Sequence, residues 1–168
     1  MAMRKSIISF ITLALLSVTL IACSDQSEDS QKDTEDGWSE SPAFELGDYE
    51  VIGKEERLAI DHIPFVAGEN EHYVIYFWGE QEELMNGPVK IEAFHESSDE
   101  KKKAIVDMAG TENEEKVWET TAPQVGKEQA HLPLVLSLPT EGIWRLDVYL
   151  GDELFDHIYV KVEASEEA

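Results

Sequence analysis

The clearest alternation of hydrophobic and polar positions in this chain lies between residues 142 and 162, with the sequence GIWRLDVYLGDELFDHIYVKV. In its first half, large apolar residues recur at every second position, which is the period of a half-buried β-strand. Gly151 and Asp152 interrupt this pattern, as turn residues do. The apolar positions then resume with only Asp156 out of place. The stretch predicts a β-hairpin whose inner face includes Trp144.

The register of this hairpin decides which side chains share a face, because a slip of one residue moves every side chain to the other face. A two-residue loop would place Asp147 opposite Asp156, and like charges directly opposite each other are destabilising. A three-residue loop, Gly151–Glu153, places Asp147 opposite His157 instead, so we predict the three-residue loop. The same register pairs Trp144 with Val160, Leu146 with Ile158 and Leu150 with Leu154.

The outer face of the predicted hairpin mixes aromatic and charged side chains. An exposed aromatic patch with a charged rim can mark a binding surface. Two other interpretations remain: Asp147 and His157 can form an ordinary cross-strand surface pair, and a loop such as residues 120–129 can cover the patch. If it is open, this face is the best candidate in the sequence for binding a protein or a cell-wall partner. Its residues are Arg145, Asp147, Tyr149, Phe155, His157 and Tyr159.

The chain before the hairpin consists of short apolar segments separated by turn residues, which is typical of an all-β sandwich. Residues 72–78, HYVIYFW, predict a central strand covered on both faces, because they are aromatic or β-branched throughout and show no alternation. Between residues 132 and 138 leucine occupies every second position, and Pro133 makes this strand compatible with a sheet edge. Further strands are predicted at 49–52, 57–61, 89–95 and 103–108, with a loop at 63–70 and a solvated turn at 96–102.

These segments predict an all-β fold, an immunoglobulin-like antiparallel β-sandwich of about seven to nine strands. Phe77, Trp78 and Trp144 are expected to form its core, as a buried tryptophan does in many sandwiches. We place the folded domain at residues 44–163, followed by a disordered tail at 164–168. The sequence shows no internal repeat and no change of composition within the domain, so we predict no second one.

Residues 1–22 have the features of a bacterial targeting segment. Arg4 and Lys5 form a positive start, and the apolar run that follows is short for a membrane-spanning helix. The run ends in Leu-Ile-Ala-Cys at positions 20–23, which resembles the lipobox of bacterial lipoproteins. The resemblance implies a lipoprotein signal peptide at 1–22 and a lipid on Cys23 that anchors the chain to the outer face of the cell membrane. An uncleaved N-terminal anchor and an ordinary signal peptide are the alternatives.

The segment that follows is strongly acidic. Residues 24–43 contain seven acidic side chains and one basic one, Lys32. Such a segment cannot bury enough apolar surface to offset the entropy lost on ordering. We therefore predict that residues 23–43 form a lipidated, disordered acidic linker that holds the domain away from the membrane. Trp38 is its one large apolar residue, and it can dock on the domain, dip toward the lipid or stay in solvent.

Composition limits the partners of the protein. The chain of 168 residues has a formal net charge of −23 at pH 7. A surface this acidic repels nucleic acid, so we predict no nucleic-acid partner. Cys23 is the single cysteine, which excludes a disulfide within the chain.

The sequence lacks the motifs of common enzymes. It contains no G-x-S-x-G elbow, no P-loop and no G-x-G-x-x-G, and acylation would remove the only thiol nucleophile. We therefore predict no enzyme and no cofactor. The five histidines occur singly, without the local pairs typical of transition-metal sites, so we predict no metal site. A weak cation site in a loop, using Glu69 and Asn70 or Asp152 and Glu153, is the alternative.

Four parts of the chain carry a resemblance to a known family. They are YEVIGKEERLAI (Tyr49–Ile60), FVAG and HYVIYFWG (within Phe65–Gly79), the Ala130-His131 and Ser137-Leu138-Pro139 segments, and GIWRLDVYLGDELF (Gly142–Phe155). Together they cover most of residues 49–162 and resemble a family of uncharacterised small lipoproteins from Gram-positive, spore-forming bacteria. The resemblance implies a lipid anchor and one immunoglobulin-like domain of unknown function, and it brings no catalytic residues. The chain departs from the family at Asp156-His157, where small residues are expected, and in a shorter, charged region at 96–103.

The sequence thus predicts an extracytoplasmic lipoprotein, anchored by Cys23 and acting as a non-enzymatic protein-interaction or surface-binding module. The membrane would be contacted through the lipid, and an envelope protein or a cell-wall component would be the partner. We expect a monomer. The first alternative is a lipoprotein that binds a small solute or a cation such as calcium or a transition metal, and the second is an inhibitor of a secreted enzyme.

Overall fold

Two β-sheets enclose one hydrophobic core in the computed structural model, which describes residues 38–127 and 129–166. The predictions for the signal peptide, for Cys23 and for the linker up to residue 37 lie outside the described residues. The described part contains one short helix, α1 (Gln81–Leu84), and thirteen strands. In chain order these are β1 (Ala43–Leu46), β2 (Tyr49–Lys54), β3 (Leu58–Asp61), β4 (Phe65–Val66), β5 (Glu71–Phe77), β6 (Val89–His95), β7 (Ser98–Lys103), β8 (Ile105–Asp107), β9 (Glu115–Val117), β10 (Gln124–Val125), β11 (Ala130–Leu136), β12 (Gly142–Leu150) and β13 (Glu153–Glu163).

The larger sheet has eight strands, in the order β1-β2-β3-β5-β11-β8-β9, with β10 also paired to β11. The smaller sheet has five, in the order β4-β13-β12-β6-β7. The predicted all-β sandwich is confirmed. The strand count exceeds the prediction because several strands have only two or three residues, too few to show a periodic pattern. The pairing is antiparallel except between β4 and β13, which run parallel. Among the described residues, no helix has both the length and the apolar character needed to cross a membrane.

The core lies between the two sheets and includes Trp144, as predicted. This side chain is 1% exposed, and its Nε1 donates a hydrogen bond of 2.9 Å to the carbonyl oxygen of Thr140. Phe77 is fully buried, as predicted. The prediction that Trp78 belongs to the core is wrong: Trp78 is half-buried and stacks beside Tyr76, with ring centroids 6.3 Å apart. Phe77 points inward, so the residue that follows it turns to the other side of the strand.

The register of the β12–β13 hairpin is partly as predicted. At the tip, Leu150 pairs with Glu153 around a two-residue loop, so the predicted three-residue loop is wrong. A β-bulge next to the tip then shifts the register by one residue. Beyond the bulge the partners are those predicted, including Asp147 opposite His157. The inserted residue is Phe155, which lies in the core with 6% of its surface exposed, and not on the outer face as predicted.

The strand at HYVIYFW is central in its sheet, as predicted, because β5 lies between β3 and β11. The prediction that both of its faces are covered is wrong. Tyr73, Ile75 and Phe77 face the core and are buried, whereas Val74 and Tyr76 are half-buried on the opposite face. Only one face of the larger sheet packs against the smaller sheet, which leaves Val74 and Tyr76 on its outer side.

The leucine-rich strand β11 has its leucines in the core, as predicted, but does not lie at an edge. It pairs with β5 along its whole length. On its other side it pairs with β10 through Ala130 and His131 and with β8 through Leu136. Pro133, which has no N–H to donate, lies between these two short contacts. The gap explains how a proline is accommodated inside the sheet.

Two segments predicted as turn or loop contain strands. Residues 96–102 were expected to be a solvated turn, but most of them belong to β7, which pairs with β6. The predicted return strand at 103–108 is divided, because β7 ends at Lys103 in the smaller sheet and β8 begins at Ile105 in the larger one. In the predicted loop at 63–70, β4 adds a short parallel strand beside β13. Charged side chains do not prevent strand formation at an exposed edge.

The last residues of the predicted linker contact the domain. The Ser41 N–H donates to the Tyr159 carbonyl at 2.9 Å, and the Tyr159 N–H donates to Ser41 Oγ at 2.9 Å. The Lys161 N–H donates to a Glu40 carboxylate oxygen at 3.4 Å. Trp38 packs edge-on against Tyr159, with ring centroids 5.6 Å apart. Of the three positions considered for Trp38, the structure has the one docked on the domain.

Candidate functional site

The structure brings together five of the six residues predicted for the interaction face. Trp144, Leu146 and Val148 point inward along β12, so the residues between them lie on the outer side of the smaller sheet. Phe155 is the exception, because the β-bulge turns it into the core. Neighbouring strands and the docked linker contribute further side chains to the same surface. This surface, which we call the hairpin face, comprises Trp38, Lys90, Glu92, Phe94, Lys101, Trp118, Arg145, Asp147, Tyr149, His157 and Tyr159.

Arg145 is held in place from several sides. Its Nε and Nη2 donate hydrogen bonds of 2.7 and 3.1 Å to the two carboxylate oxygens of Asp147. Its guanidinium carbon lies 4.8 Å from the ring centroid of Phe94 and 5.7 Å from that of Trp38. Burial lowers the pKa of Arg145, but the hydrogen bond and charge of Asp147 outweigh it and raise that pKa. The planar cation is therefore held by Asp147 beside two aromatic rings, and contact with aromatic rings is favourable for arginine.

A second cation–aromatic group surrounds Tyr149. The Lys90 ammonium lies 3.9 Å from the Tyr149 ring centroid and 3.5 Å from a Glu92 oxygen. Lys101 donates a hydrogen bond of 2.9 Å to the same Glu92 oxygen. This hydrogen bond lowers the pKa of Glu92, although burial opposes the shift. Burial raises the pKa of Tyr149, and the charges of Glu92 and Asp147 raise it further.

The third group lies at the β13 edge of the face. His157 packs edge-on against Tyr159, with ring centroids 5.5 Å apart and an angle of 88° between the rings. Burial lowers the pKa of His157, and Lys54 lowers it further, while Asp156 and Asp147 oppose the shift. Burial thus disfavours the charged form of the His157 ring. With Tyr159 and Trp38 this ring forms a continuous aromatic strip.

The hairpin face is not covered by the loop that could have hidden it. The Thr120 N–H donates to the Val89 carbonyl, which places this part of the chain beside the start of β6, before the residues of β6 that pair with β7. The chain then crosses to the larger sheet, where Gln124 and Val125 form β10. Trp38 lies over the part of the face formed by Tyr159 and Arg145. The side chains of Lys101 and Arg145 remain 54% and 32% exposed, so the described part of the chain leaves both partly accessible.

Sequence reasoning missed the members of the face that come from other strands. Phe94, Lys90 and Glu92 lie on β6, which pairs with β12 so that Tyr149 faces Lys90 and Asp147 faces Glu92. The sequence predicts a strand at 89–95, but only the pairing of β6 with β12 places these residues beside the hairpin. The sequence feature that could have placed Trp38 on this face is its large apolar side chain in an otherwise acidic linker.

A cation site has no support in the described residues. Nowhere in residues 38–127 and 129–166 do three or more histidine, cysteine, aspartate or glutamate side chains converge to hold a metal ion. Of the two loop positions considered, Glu153 accepts a hydrogen bond of 3.2 Å from Asn86, which also donates to the Leu150 carbonyl. This glutamate therefore helps to fix the hairpin tip.

Two solved structures are similar to this chain. One is the crystal structure of a "putative lipoprotein" from Bacillus anthracis, with 25% sequence identity and a TM-score of 0.63, covering 77% of this chain and 88% of that chain. The other, a "putative lipoprotein" from Staphylococcus aureus, has 15% identity and a TM-score of 0.33, covering 74% of this chain and 99% of that chain. No curated protein matches the sequence.

The match to a protein family covers most of the sandwich. Residues 30–160 match the domain of unknown function DUF4871. The matched range includes the docked linker residues, β1 to β12 and most of β13, and so contains the whole hairpin face. The expectation of an uncharacterised family is confirmed, and the chain belongs to the DUF4871 family.

Proposed function

We propose that this protein is an extracytoplasmic lipoprotein, anchored through Cys23, that acts as a non-enzymatic interaction module through the hairpin face. The contact between Arg145 and its two aromatic neighbours is the observation that carries the proposal. Side chains that are already ordered lose little conformational entropy on binding. Arginine, tryptophan and tyrosine are also the residue types that contribute most to protein interfaces.

The charges of the hairpin face favour an acidic patch on an envelope protein as the partner. Lys90, Lys101 and Arg145 face only two carboxylates there, whereas the chain as a whole has a net charge of −23. At physiological ionic strength charges are screened over about 8 Å, so the local balance decides what binds at this face. The surface outside the hairpin face is acidic, so it repels acidic partners.

A non-enzymatic role agrees with the state of the two carboxylates on this face. Glu92 is ion-paired with Lys101, and Asp147 is ion-paired with Arg145. The lowered pKa of Glu92 keeps it ionised at neutral pH. A general acid needs a pKa near the working pH, so Glu92 is poorly suited to that role.

The partner proposal is tested by chemical cross-linking in intact cells, followed by recovery of the full-length protein. Lys101→Glu should reduce recovery of a specific acidic envelope protein by about tenfold, because it replaces an attractive charge with a repulsive one. Lys102→Glu is the matched control, since Lys102 is the next residue on β7, is 42% exposed and pairs with Glu100. Equal recovery with both variants, or no partner with the wild type, would contradict the proposal.

The anchor is tested separately. The lipobox-like sequence before Cys23 and the similarity to the "putative lipoprotein" from Bacillus anthracis support it. Cys23→Ser should move the protein from the membrane fraction to the soluble fraction, or leave a longer precursor, because no lipid can be attached. Labelling cells with a radioactive fatty acid should mark the wild type only. A variant that fractionates like the wild type would show that Cys23 is not the anchor.

A further inference from the structure

The outer face of the larger sheet contains a groove that is separate from the hairpin face. Its volume is about 620 Å³, and it is lined by residues of β2, β3, β5 and β11 and of their flanking turns. Its lining includes Tyr49, Asp61, Tyr76 and His131. Tyr76 and His131 are direct cross-strand partners and so lie on the same face. The groove is a cleft built on paired strands, which hold its shape.

Aromatic and aliphatic side chains give the groove an apolar surface that is open to a ligand. Tyr49 is 67% exposed and Ile63 is 39% exposed, and both are among the most exposed large apolar residues of the described chain. Tyr76 lies deeper and is half-buried. Tyr49 and Tyr76 are close enough for the charge of one to affect the pKa of the other. The two phenol rings therefore belong to one site.

Polar groups in the groove are held in fixed positions. Asp61 accepts a hydrogen bond of 2.8 Å from the Val74 N–H and one of 3.2 Å from the Tyr76 hydroxyl. Burial, followed by the nearby Asp61 carboxylate, raises the pKa of Tyr76 to about 12, so this hydroxyl stays protonated. Glu50 and His62 form a second pair, with 2.5 Å between Oε2 and Nδ1.

The lining excludes some classes of ligand. It contains two carboxylates, and no lysine or arginine lies among its described residues. A phosphate or a carboxylate in the groove would be repelled by Glu50 and Asp61 without a compensating cation. A purely apolar ligand would remove water from the carboxylate lone pairs that Val74, Tyr76 and His62 do not use, which is costly. The ligand should therefore be uncharged and should combine an apolar face with hydroxyl groups at its edge.

We propose that this groove binds a neutral oligosaccharide, with one sugar ring against Tyr49 and its hydroxyl groups directed to Asp61, His131 and Gln129. The C–H face of a pyranose supplies the apolar surface, and its hydroxyls supply donors for carboxylates and acceptors for amide and imidazole N–H groups. This site lies on the opposite sheet from the hairpin face, so its existence does not depend on the proposed function.

Calorimetry with the full-length protein in detergent tests the proposal. The probes are short oligomers of β-linked glucose and of β-linked N-acetylglucosamine, with oligogalacturonate as the charged comparison. At least one neutral oligomer should bind, and Tyr49→Ala should raise its Kd by about tenfold, equivalent to about 1.4 kcal/mol. Oligogalacturonate should bind more weakly than the neutral oligomer by a similar factor.

Met85→Ala is the matched control, because Met85 is 64% exposed and does not line the groove. The Kd of the Met85→Ala variant for the neutral oligomer should equal that of the wild type. Both variants change exposed side chains, so both should fold, and far-ultraviolet circular dichroism checks this. No binding of either neutral oligomer, or equal Kd values for Tyr49→Ala and Met85→Ala, would overturn the proposal. Cross-linking through the hairpin face would be unaffected by that result.

Discussion

Phe155 packs against Phe77 across the sandwich, with ring centroids 5.5 Å apart and an angle of 70° between the ring planes. The contact joins β13 of the smaller sheet to β5 of the larger sheet. The Arg57 guanidinium covers the Phe155 ring at 3.6 Å and donates to the Phe155 carbonyl at 2.8 Å. Arg57 also donates two hydrogen bonds to Glu83 of α1. The β-bulge therefore fixes one end of the core.

Phe155→Ala is expected to destabilise the protein by about 3–5 kcal/mol, because it leaves a cavity in the core and removes the surface on which Arg57 lies. Leu154→Ala is the matched control: the neighbouring side chain is 53% exposed, so its removal should change the stability by only about 0.5 kcal/mol. Urea denaturation measures both. A larger loss for Leu154→Ala than for Phe155→Ala would show that the bulge is not formed, because without it the two side chains would exchange faces.

The bulge also shows how far the sequence could predict this hairpin. The charge argument that placed Asp147 opposite His157 was correct, and so was the inward position of Trp144. The same argument gave the wrong loop, because it assumed that one register applies from the tip to the end. Nothing in the alternation distinguishes a three-residue loop from a two-residue loop followed by a bulge. Which of these two geometries forms depends on the pocket that Phe77 and Arg57 provide for Phe155.

Gly53→Ala should prevent the close approach of β2 and β3. A Cβ at this position would lie 2.2 Å from the Leu58 carbonyl oxygen and 2.7 Å from the Ala59 Cα, and the φ angle is +147°. Backbone atoms cannot move aside as a flexible side chain can, so we expect a loss of about 3 kcal/mol or more. Gly68→Ala is the control for the φ angle alone, because Gly68 has φ +79° and open space around it. Its cost should be about 1–2 kcal/mol, and thermal denaturation can compare the two.

Trp144→Ala should cost about 3–5 kcal/mol through loss of core packing. Trp144→Phe retains an aromatic ring but leaves the Thr140 carbonyl without its indole donor, which adds a penalty of about 1–3 kcal/mol to a smaller cavity. Trp118→Ala is the comparison, because Trp118 is half-buried on the hairpin face beside Lys101 and Lys103. Chemical denaturation should show a much smaller loss of stability for Trp118→Ala than for Trp144→Ala. A change below about 1 kcal/mol for Trp144→Ala would contradict the inward position of the indole.

The candidate site was less predictable than the core, for a physical reason. Core positions follow from alternation within one strand, as the buried leucines of β11 illustrate. The hairpin face depends on which strands become neighbours, and the pairing of β6 with β12 brings Phe94 beside Arg145. The groove depends on the outer side of β5, which the continuous apolar pattern of HYVIYFW assigned to the interior. The tyrosine and histidine residues at the half-exposed positions of that segment are the sequence feature that could have indicated this second surface.

His157 should make the stability of the protein depend on pH. Burial, followed by the charge of Lys54, lowers its pKa below the ordinary value of 6.5, while Asp156 and Asp147 oppose the shift. Between the folded-state pKa and 6.5 the unfolded chain binds more protons than the folded chain, so the free energy of unfolding rises with pH. The stabilising contribution is complete above pH 6.5 and is lost as the pH falls through the folded-state pKa. Nuclear magnetic resonance titration should give a His157 midpoint below 6.5. His157→Gln should remove this part of the pH dependence of unfolding, whereas His72→Gln, at an exposed position, should leave it in place. A His157 midpoint above 6.5 would show that the carboxylates outweigh burial and would reverse the sign.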